Sequence, residues 1–273
     1  MRFDLLHQAD QLVMMMNRIY YRGLTTTSGG NLSILDEFGD MWITPSGVDK
    51  GTLTSDDIVQ IKADGTVAGH HKPSSEFPFH QAVYRSRPDI KAVLHAQSAA
   101  VVSFSSLHIL PEIYLIPNIK LICGEISIAP YALPGSEELG QAIASEFEKG
   151  FSTVILENHG VVIGAGNIFS AFMALETLEY CSQLHINALK LGELMPLTHE
   201  LIDSLGKTND TLPEFAPDFH TSEEKAMRRD LIKFIHRSYA QGLFTSTQGT
   251  YSARLEDGSF LITPYGPDRQ YLE

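Results

Sequence analysis

A stretch of about forty residues near the start of this chain returns near its end, and that repetition limits how the polypeptide can be divided. Leu231 to Leu272 aligns without gaps on Leu12 to Leu53, with about 16 identities over about 42 positions. Arg18, Tyr20, Gly23 and Leu24 recur as Arg237, Tyr239, Gly242 and Leu243. Ile43-Thr44-Pro45 and Gly47 recur as Ile262-Thr263-Pro264 and Gly266. The second copy spans only about a quarter of one unit, too little to bury a core of its own. It docks on the first unit, pairs with another chain, or belongs to a longer protein, and the sequence leaves the three open. Between the copies the composition shifts to Asn, Asp, Pro and Thr, with Pro213 and Pro217. The expected organisation is a domain over 1–206, a linker over 207–222 and a partial second copy over 223–273.

Within the first unit, helical and extended patterns alternate. Apolar residues at helical spacing predict a helix over 3–22, stopped at Gly23. Short strands are expected near Leu32–Leu35, Met41–Thr44 and Ile58–Lys62. Lys72-Pro73-Ser74-Ser75-Glu76 leads into a helix that either serine can cap, with Glu76 in the first turn and Phe77, His80 and Tyr84 on one face. Ile90–Gln97 is an apolar strand that turns Val93, His95 and Gln97 to one side. A helix from Ser136 to Phe147, strands over Thr153–Glu157 and Val161–Ile163, and a long helix from about Ile168 to Leu191 complete a layered α/β domain.

The formal net charge of −13 argues against nucleic acid or an anionic membrane surface as the main partner. A bound phosphate therefore needs a local site of backbone N–H groups. Cys123 and Cys181 are far apart and form no CxxC pair, which reads as two incidental thiols in a reducing, cytoplasmic compartment. The apolar N-terminal run is short and preceded by Asp4, His7 and Asp10, unlike a signal peptide, and no apolar run is long enough to span a bilayer.

Three segments carry residues suited to chemistry: Lys72–Glu76, Leu94-His95-Ala96-Gln97-Ser98 and Glu157-Asn158-His159-Gly160. Two histidines at strand ends and a carboxylate at a helix start make the ligand set of an open catalytic metal site if they converge. The competing reading is two core histidines and a helix-dipole glutamate. His70-His71 is expected in a solvated turn, His80 as a packed group beside the site, and Glu176, Glu179 and His185 on a solvated helix face. Asn31 is replaced by Thr250 in the second copy, where no acid or histidine segment follows, so no site is expected there.

The ordered set Gly30-Asn31-Leu32-Ser33, Ile43-Thr44-Pro45-Ser46-Gly47, Lys72-Pro73-Ser74-Ser75-Glu76, His80, Val93-Leu94-His95 and Asn158-His159-Gly160 resembles the class II aldolase/adducin family over residues 5–200. The resemblance implies a three-layer α/β/α fold around a mostly antiparallel sheet, commonly in a homotetramer. It implies a metal-dependent lyase, epimerase or dehydratase that acts on a small sugar phosphate through an enediolate. Carried over by motif, Glu76 is the acid/base and a metal ligand, and His95 and His159 are metal ligands. Asn31, Ser46, Gly47, Ser74 and Ser75 surround the phosphate, and Tyr114 assists protonation in a neighbouring subunit's site. The implied cofactor is a divalent ion, zinc first, with manganese, cobalt or iron as the other choices. The family's His-x-His is here His95-Ala96-Gln97, so Gln97 takes one ligand position with a weaker, harder oxygen donor. That departure favours the alternative of a non-catalytic, adducin-like assembly or sugar-phosphate-binding module.

Overall fold

The computed structural model describes residues 3–205 and 219–273. A 3₁₀ turn at Phe3–Leu5 and helix α1 (Gln8–Tyr21) replace the single helix expected from residue 3. His7 separates them: its backbone is extended and its Nδ1 accepts the Ala9 N–H, which makes it the N-cap of α1. Strands β1 (Asn31–Leu35), β2 (Met41–Ile43), β3 (Val59–Ile61) and β4 (Val67–Ala68) follow as an antiparallel meander. Helix α2 (Phe77–Ser86) leads to β5 (Ala92–Ala96), α3 (Ala99–Leu107) and α4 (Pro117–Cys123). Then come β6 (Ile126–Ala129), α5 (Glu137–Glu148), β7 (Thr153–Leu156), β8 (Gly160–Ala165), α6 (Ile168–Leu189) and α7 (His199–Leu205).

The strands form one eight-stranded sheet in the order β4-β3-β2-β1-β5-β8-β7-β6, antiparallel everywhere except between β6 and β7. β5 lies near the middle and is buried along its whole length, which accounts for its nearly continuous apolar sequence. Its two faces feed different cores. Ala92, Leu94 and Ala96 join Leu12, Met16, Phe172 and Leu175 from α1 and α6, together with Val101 of α3 and Ile119 of α4. Val93 joins Phe79 and Val83 of α2 and Ile143 and Phe147 of α5 on the opposite face. The α/β/α layering follows from helices covering both sides of the sheet. Each large apolar side chain fully buried there, such as Phe172 or Leu12, contributes about 1.5–3 kcal/mol.

The residues divide into compact units, one through Ile202 and the other from Asp203. The second contains α8 (Ser222–Ala240) and a hairpin of β9 (Ser252–Arg254) and β10 (Phe260–Ile262). Most of the expected linker, 207–218, lies outside the described residues, and its last residue, Ser222, already belongs to α8 behind the N-cap Thr221. Among the described residues no helix is long and apolar enough to cross a membrane.

Two local expectations need correction. Neither Ser74 nor Ser75 caps α2. Glu76 itself holds the N-cap position without a capping side-chain bond, and Ser74 Oγ accepts the Glu76 N–H at 3.3 Å. Glu176 and Glu179 do not form a solvated face; each is only 5% exposed. Arg22 pairs with Glu176 at 3.1 Å. Glu179 accepts the Ala100 and Val101 N–H groups at 3.1 Å and the Gln183 amide at 2.8 Å. Its carboxylate thus satisfies the orphan donors that open α3 and complements the positive end of that helix. A Glu179→Ala change, which leaves those buried donors unpaired, is expected to cost about 2 kcal/mol in urea unfolding. Glu179→Gln, which keeps one acceptor oxygen, should cost less. A loss below about 0.5 kcal/mol for the alanine variant would contradict this role.

Candidate metal centre and its surroundings

The site is built on the face of the sheet that α2 covers. Pairing of β1 with β5 sets Asn31 opposite His95 and Ser33 opposite Val93, and β8 sets Val162 on the other side of His95. Directly opposed residues project to the same face, so Asn31, Ser33 and His95 share it. Gly30 makes this approach possible. Its φ is +71°, and a Cβ there would lie 2.8 Å from the His95 carbonyl oxygen.

His159 arrives from the β7–β8 turn. Leu156 and Gly160 pair at its base, and Asn158 takes a left-handed conformation with φ 52°. The end of α3 holds this turn. Ser105 Oγ donates to the Leu156 carbonyl at 2.6 Å and accepts the His159 N–H at 3.1 Å. His108 Nε2 lies 2.6 Å from Asn158 Oδ1. Gly160 has no room for a side chain, since a Cβ would sit 2.5 Å from the Ala96 carbonyl.

These elements bring Glu76, His95 and His159 together, with one ligand atom from each within 4.8 Å of the others. Glu76 Oε2 is 3.5 Å from His95 Nε2, and Glu76 Oε1 is 3.5 Å from His159 Nε2. His95 Nδ1 is 3.0 Å from the Val161 carbonyl. A carbonyl only accepts, so the Nδ1–H donates to it and Nε2 keeps its lone pair for the site. Burial, followed by the neighbouring His95, lowers the His159 pKa while Glu76 raises it, so a neutral imidazole is favoured there.

The donor chemistry fits a divalent cation. A carboxylate and imidazole nitrogens are the usual ligands of an open catalytic site. Buried Glu76 Oε1 and Gln97 Oε1 have no hydrogen-bond partner in the protein, and burying such atoms unpaired is costly. Gln97 stands beside the cluster, with its amide nitrogen 2.7 Å from His95 Nε2. In this arrangement it is the nitrogen, not the carbonyl oxygen, that faces the ligand atom.

The residues expected around a phosphate divide into groups. The turns Thr44–Gly47 and Lys72–Ser75 run side by side, tied by Ser46 N–H to the Lys72 carbonyl at 3.0 Å and Ser74 N–H to the Thr44 carbonyl at 3.2 Å. Ser46, Gly47 and Ser75 are exposed and Ser74 is buried. Asn31 is committed elsewhere: its amide nitrogen donates to Glu76 Oε2 at 2.7 Å and its oxygen lies 2.5 Å from His80 Nε2. Tyr114 donates its hydroxyl to Glu125 at 3.2 Å and packs its ring on His199.

Sequence reasoning missed several supporting groups. Buried Lys50 donates to the Pro45 carbonyl at 2.8 Å and so holds the Thr44–Gly47 turn from beneath. Ser33 and Tyr84 join His80 behind Asn31, each at 2.7 Å along the chain. The available signals were the two-residue spacing of Ser33 from Asn31 on a strand, and the four-residue spacing of Tyr84 from His80 on a helix.

Residues 10–186 match the model of the class II aldolase and adducin N-terminal domain. A 5-deoxy-D-ribulose 1-phosphate aldolase from Bacillus thuringiensis serovar kurstaki is 35% identical over 208 residues, covering 73% of this chain and 94% of that protein. A 3-oxo-tetronate 4-phosphate decarboxylase from Pectobacterium atrosepticum is 30% identical over 178 residues, covering 64% and 81% respectively. Among solved structures, an L-fuculose 1-phosphate aldolase superposes with a TM-score of 0.67 at 32% identity, over 73% of this chain and 94% of that one. By its sequence, its sheet and the match across most of its larger unit, the chain belongs to the class II aldolase/adducin family.

Proposed function

We propose that this chain is a metal-dependent, aldolase-type lyase acting on a small sugar phosphate, with Glu76, His95 and His159 as its protein ligands. The observation that carries the reading is the convergence of those three donor atoms within 4.8 Å on a partly buried face. The relatives named above are aldolases of ketose 1-phosphates and a decarboxylase of an oxo-acid phosphate. Both reaction types break a carbon–carbon bond and leave an electron pair beside a carbonyl. A divalent cation held by this set supplies Lewis-acid polarisation of a substrate carbonyl oxygen.

The chain's own residues do the rest. Glu76 moves the proton, because Oε1 has no hydrogen-bond partner while Oε2 is held by Asn31. His95 is kept in its ligating tautomer by the Val161 carbonyl. Ser46, Gly47 and Ser75 offer exposed turn positions for a phosphate, with Ser74 behind them and the second Asn31 amide hydrogen beside them. Tyr114 acts, on this reading, in the site of a neighbouring subunit of a homotetramer. In its own chain its hydroxyl already serves Glu125. A cytoplasmic location agrees with two buried free thiols, Cys123 and Cys181.

Zinc is the first choice of ion, and Gln97 shifts the balance toward manganese, cobalt or iron. A half-turn of its amide exchanges nitrogen for oxygen at nearly the same positions, so a carbonyl donor replaces the family's third imidazole. The second unit is read as a partial copy of the first. Ser252 pairs with Ile262 in β9–β10 where Ser33 pairs with Ile43 in β1–β2. Arg269 reaches the Pro264 carbonyl at 3.0 Å, as Lys50 reaches Pro45.

Metal analysis of protein purified without chelator tests the central reading. About one equivalent of divalent ion per chain is expected, with loss in His159→Ala. No metal under any loading condition, with the fold intact, would support the adducin-like assembly module instead. Gln97→His is expected to tighten metal binding about 10–100-fold and to raise the preference for zinc; unchanged affinity removes Gln97 from the ligand set. The pH dependence has a defined sign. Metal binding requires a neutral His159, and its lowered pKa keeps it neutral below the ordinary value of 6.5, so affinity measured by calorimetry should hold to lower pH than for an unperturbed histidine. A fall in affinity beginning above pH 7 would contradict this.

A further inference from the structure

Behind Glu76 and Asn31 lies a line of three buried polar side chains, Tyr84, Ser33 and His80, to which the proposed reaction assigns no role. Tyr84 OH is 2.7 Å from Ser33 Oγ, Ser33 Oγ is 2.7 Å from His80 Nδ1, and His80 Nε2 is 2.5 Å from Asn31 Oδ1. Asn31 Nδ2 then donates to Glu76 Oε2 at 2.7 Å. Ser33 and His80 are fully buried, Asn31 is 3% exposed and Tyr84 is 7% exposed.

The hydrogen-bonding capacities set the direction of the line. A carboxylate accepts only, so the Asn31 group facing it is the amide NH₂, and the group facing His80 is the carbonyl oxygen. That oxygen also accepts only, so His80 carries its proton on Nε2. Burial holds the His80 pKa well below 6.5, so the ring is neutral and Nδ1 is bare. Ser33 must therefore donate to Nδ1, and its oxygen is left to accept from Tyr84. Each link leaves one arrangement for the next.

We propose that Tyr84, Ser33 and His80 form a one-way donor chain that positions Glu76 through Asn31, reserving Oε2 as an acceptor and leaving Oε1 as the oxygen that exchanges a proton with substrate. The three are positioning residues, since none of them reaches the cluster of ligand atoms. Without the His80 donor, the Asn31 amide is free to turn its oxygen toward the carboxylate, which repels it and releases the carboxylate from its orientation. A misplacement of about 1 Å at a reacting group is enough to cost on the order of 10²-fold in rate.

The kinetic test rests on the lyase reading; the spectroscopic one does not. In uniformly ¹⁵N-labelled, metal-loaded protein, long-range ¹H–¹⁵N correlation at neutral pH should find the His80 ring neutral, protonated at Nε2 and bare at Nδ1. A ring protonated at Nδ1, or at both nitrogens, overturns the proposal. In steady-state cleavage of a ketose 1-phosphate, His80→Leu should lower kcat about 10²-fold with KM within about threefold and metal content unchanged. His80→Gln, which keeps an N–H toward Asn31, should recover kcat to within about tenfold of the native value. A folded His80→Leu protein with kcat within about threefold of native, or a glutamine variant as slow as the leucine one, overturns the proposal. If the native protein turns over no sugar phosphate, the lyase reading fails while the tautomer measurement still decides the direction of the chain.

Discussion

The site depends first on the register between β1 and β5. Asn31 stands opposite His95, and both face α2 because side chains alternate along a strand. A slip of one residue would turn His95 toward α1 and α6 and bring Leu94 to the site face, so the apolar alternation that buries Leu94 also specifies where His95 points. Gly30 and Gly160 serve the same constraint, since each lets backbone approach β5 more closely than any side chain allows.

On that frame, electrostatics decides what the cluster holds. A carboxylate sits between imidazoles whose other atoms are already spoken for or buried: the His95 Nδ1–H by the Val161 carbonyl, and Glu76 Oε2 by Asn31. One ligand atom from each of Glu76, His95 and His159 lies within 4.8 Å of the others. One carboxylate beside imidazole nitrogens that offer lone pairs makes a donor set that favours a cation over an anionic group. The overall acidity of the chain works in the same direction for a cation and against an anion, for which only local donors such as turn N–H groups can compensate.

Much of this was legible in the sequence, for reasons that differ by residue. Strand β5 and helices α5 and α6 announce themselves through apolar runs and caps such as Ser136, whose hydroxyl accepts the Leu139 N–H. The convergence of Glu76, His95 and His159 was suggested by motif order, yet no local pattern states a distance between residues up to 83 positions apart in sequence. The helix face carrying Glu176 and Glu179 misled, because charged residues at helical spacing usually meet water. Here Arg22 pairs with Glu176, and the start of α3 supplies N–H partners to Glu179, which makes their burial tolerable. The short helix α4 and strand β6 were missed since each is only a few residues long and takes its conformation from the packing around it. Nothing in sequence tells that His80 lies behind Asn31, or that the Asn31 amide donates to Glu76.

Crystals grown with manganese and measured for anomalous scattering at its absorption edge address the account most directly. It predicts one strong peak per chain where a divalent ion meets Glu76, His95 Nε2 and His159 Nε2 together, within coordination distance of all three. A peak elsewhere, or none at saturating manganese with those three side chains ordered, would contradict it.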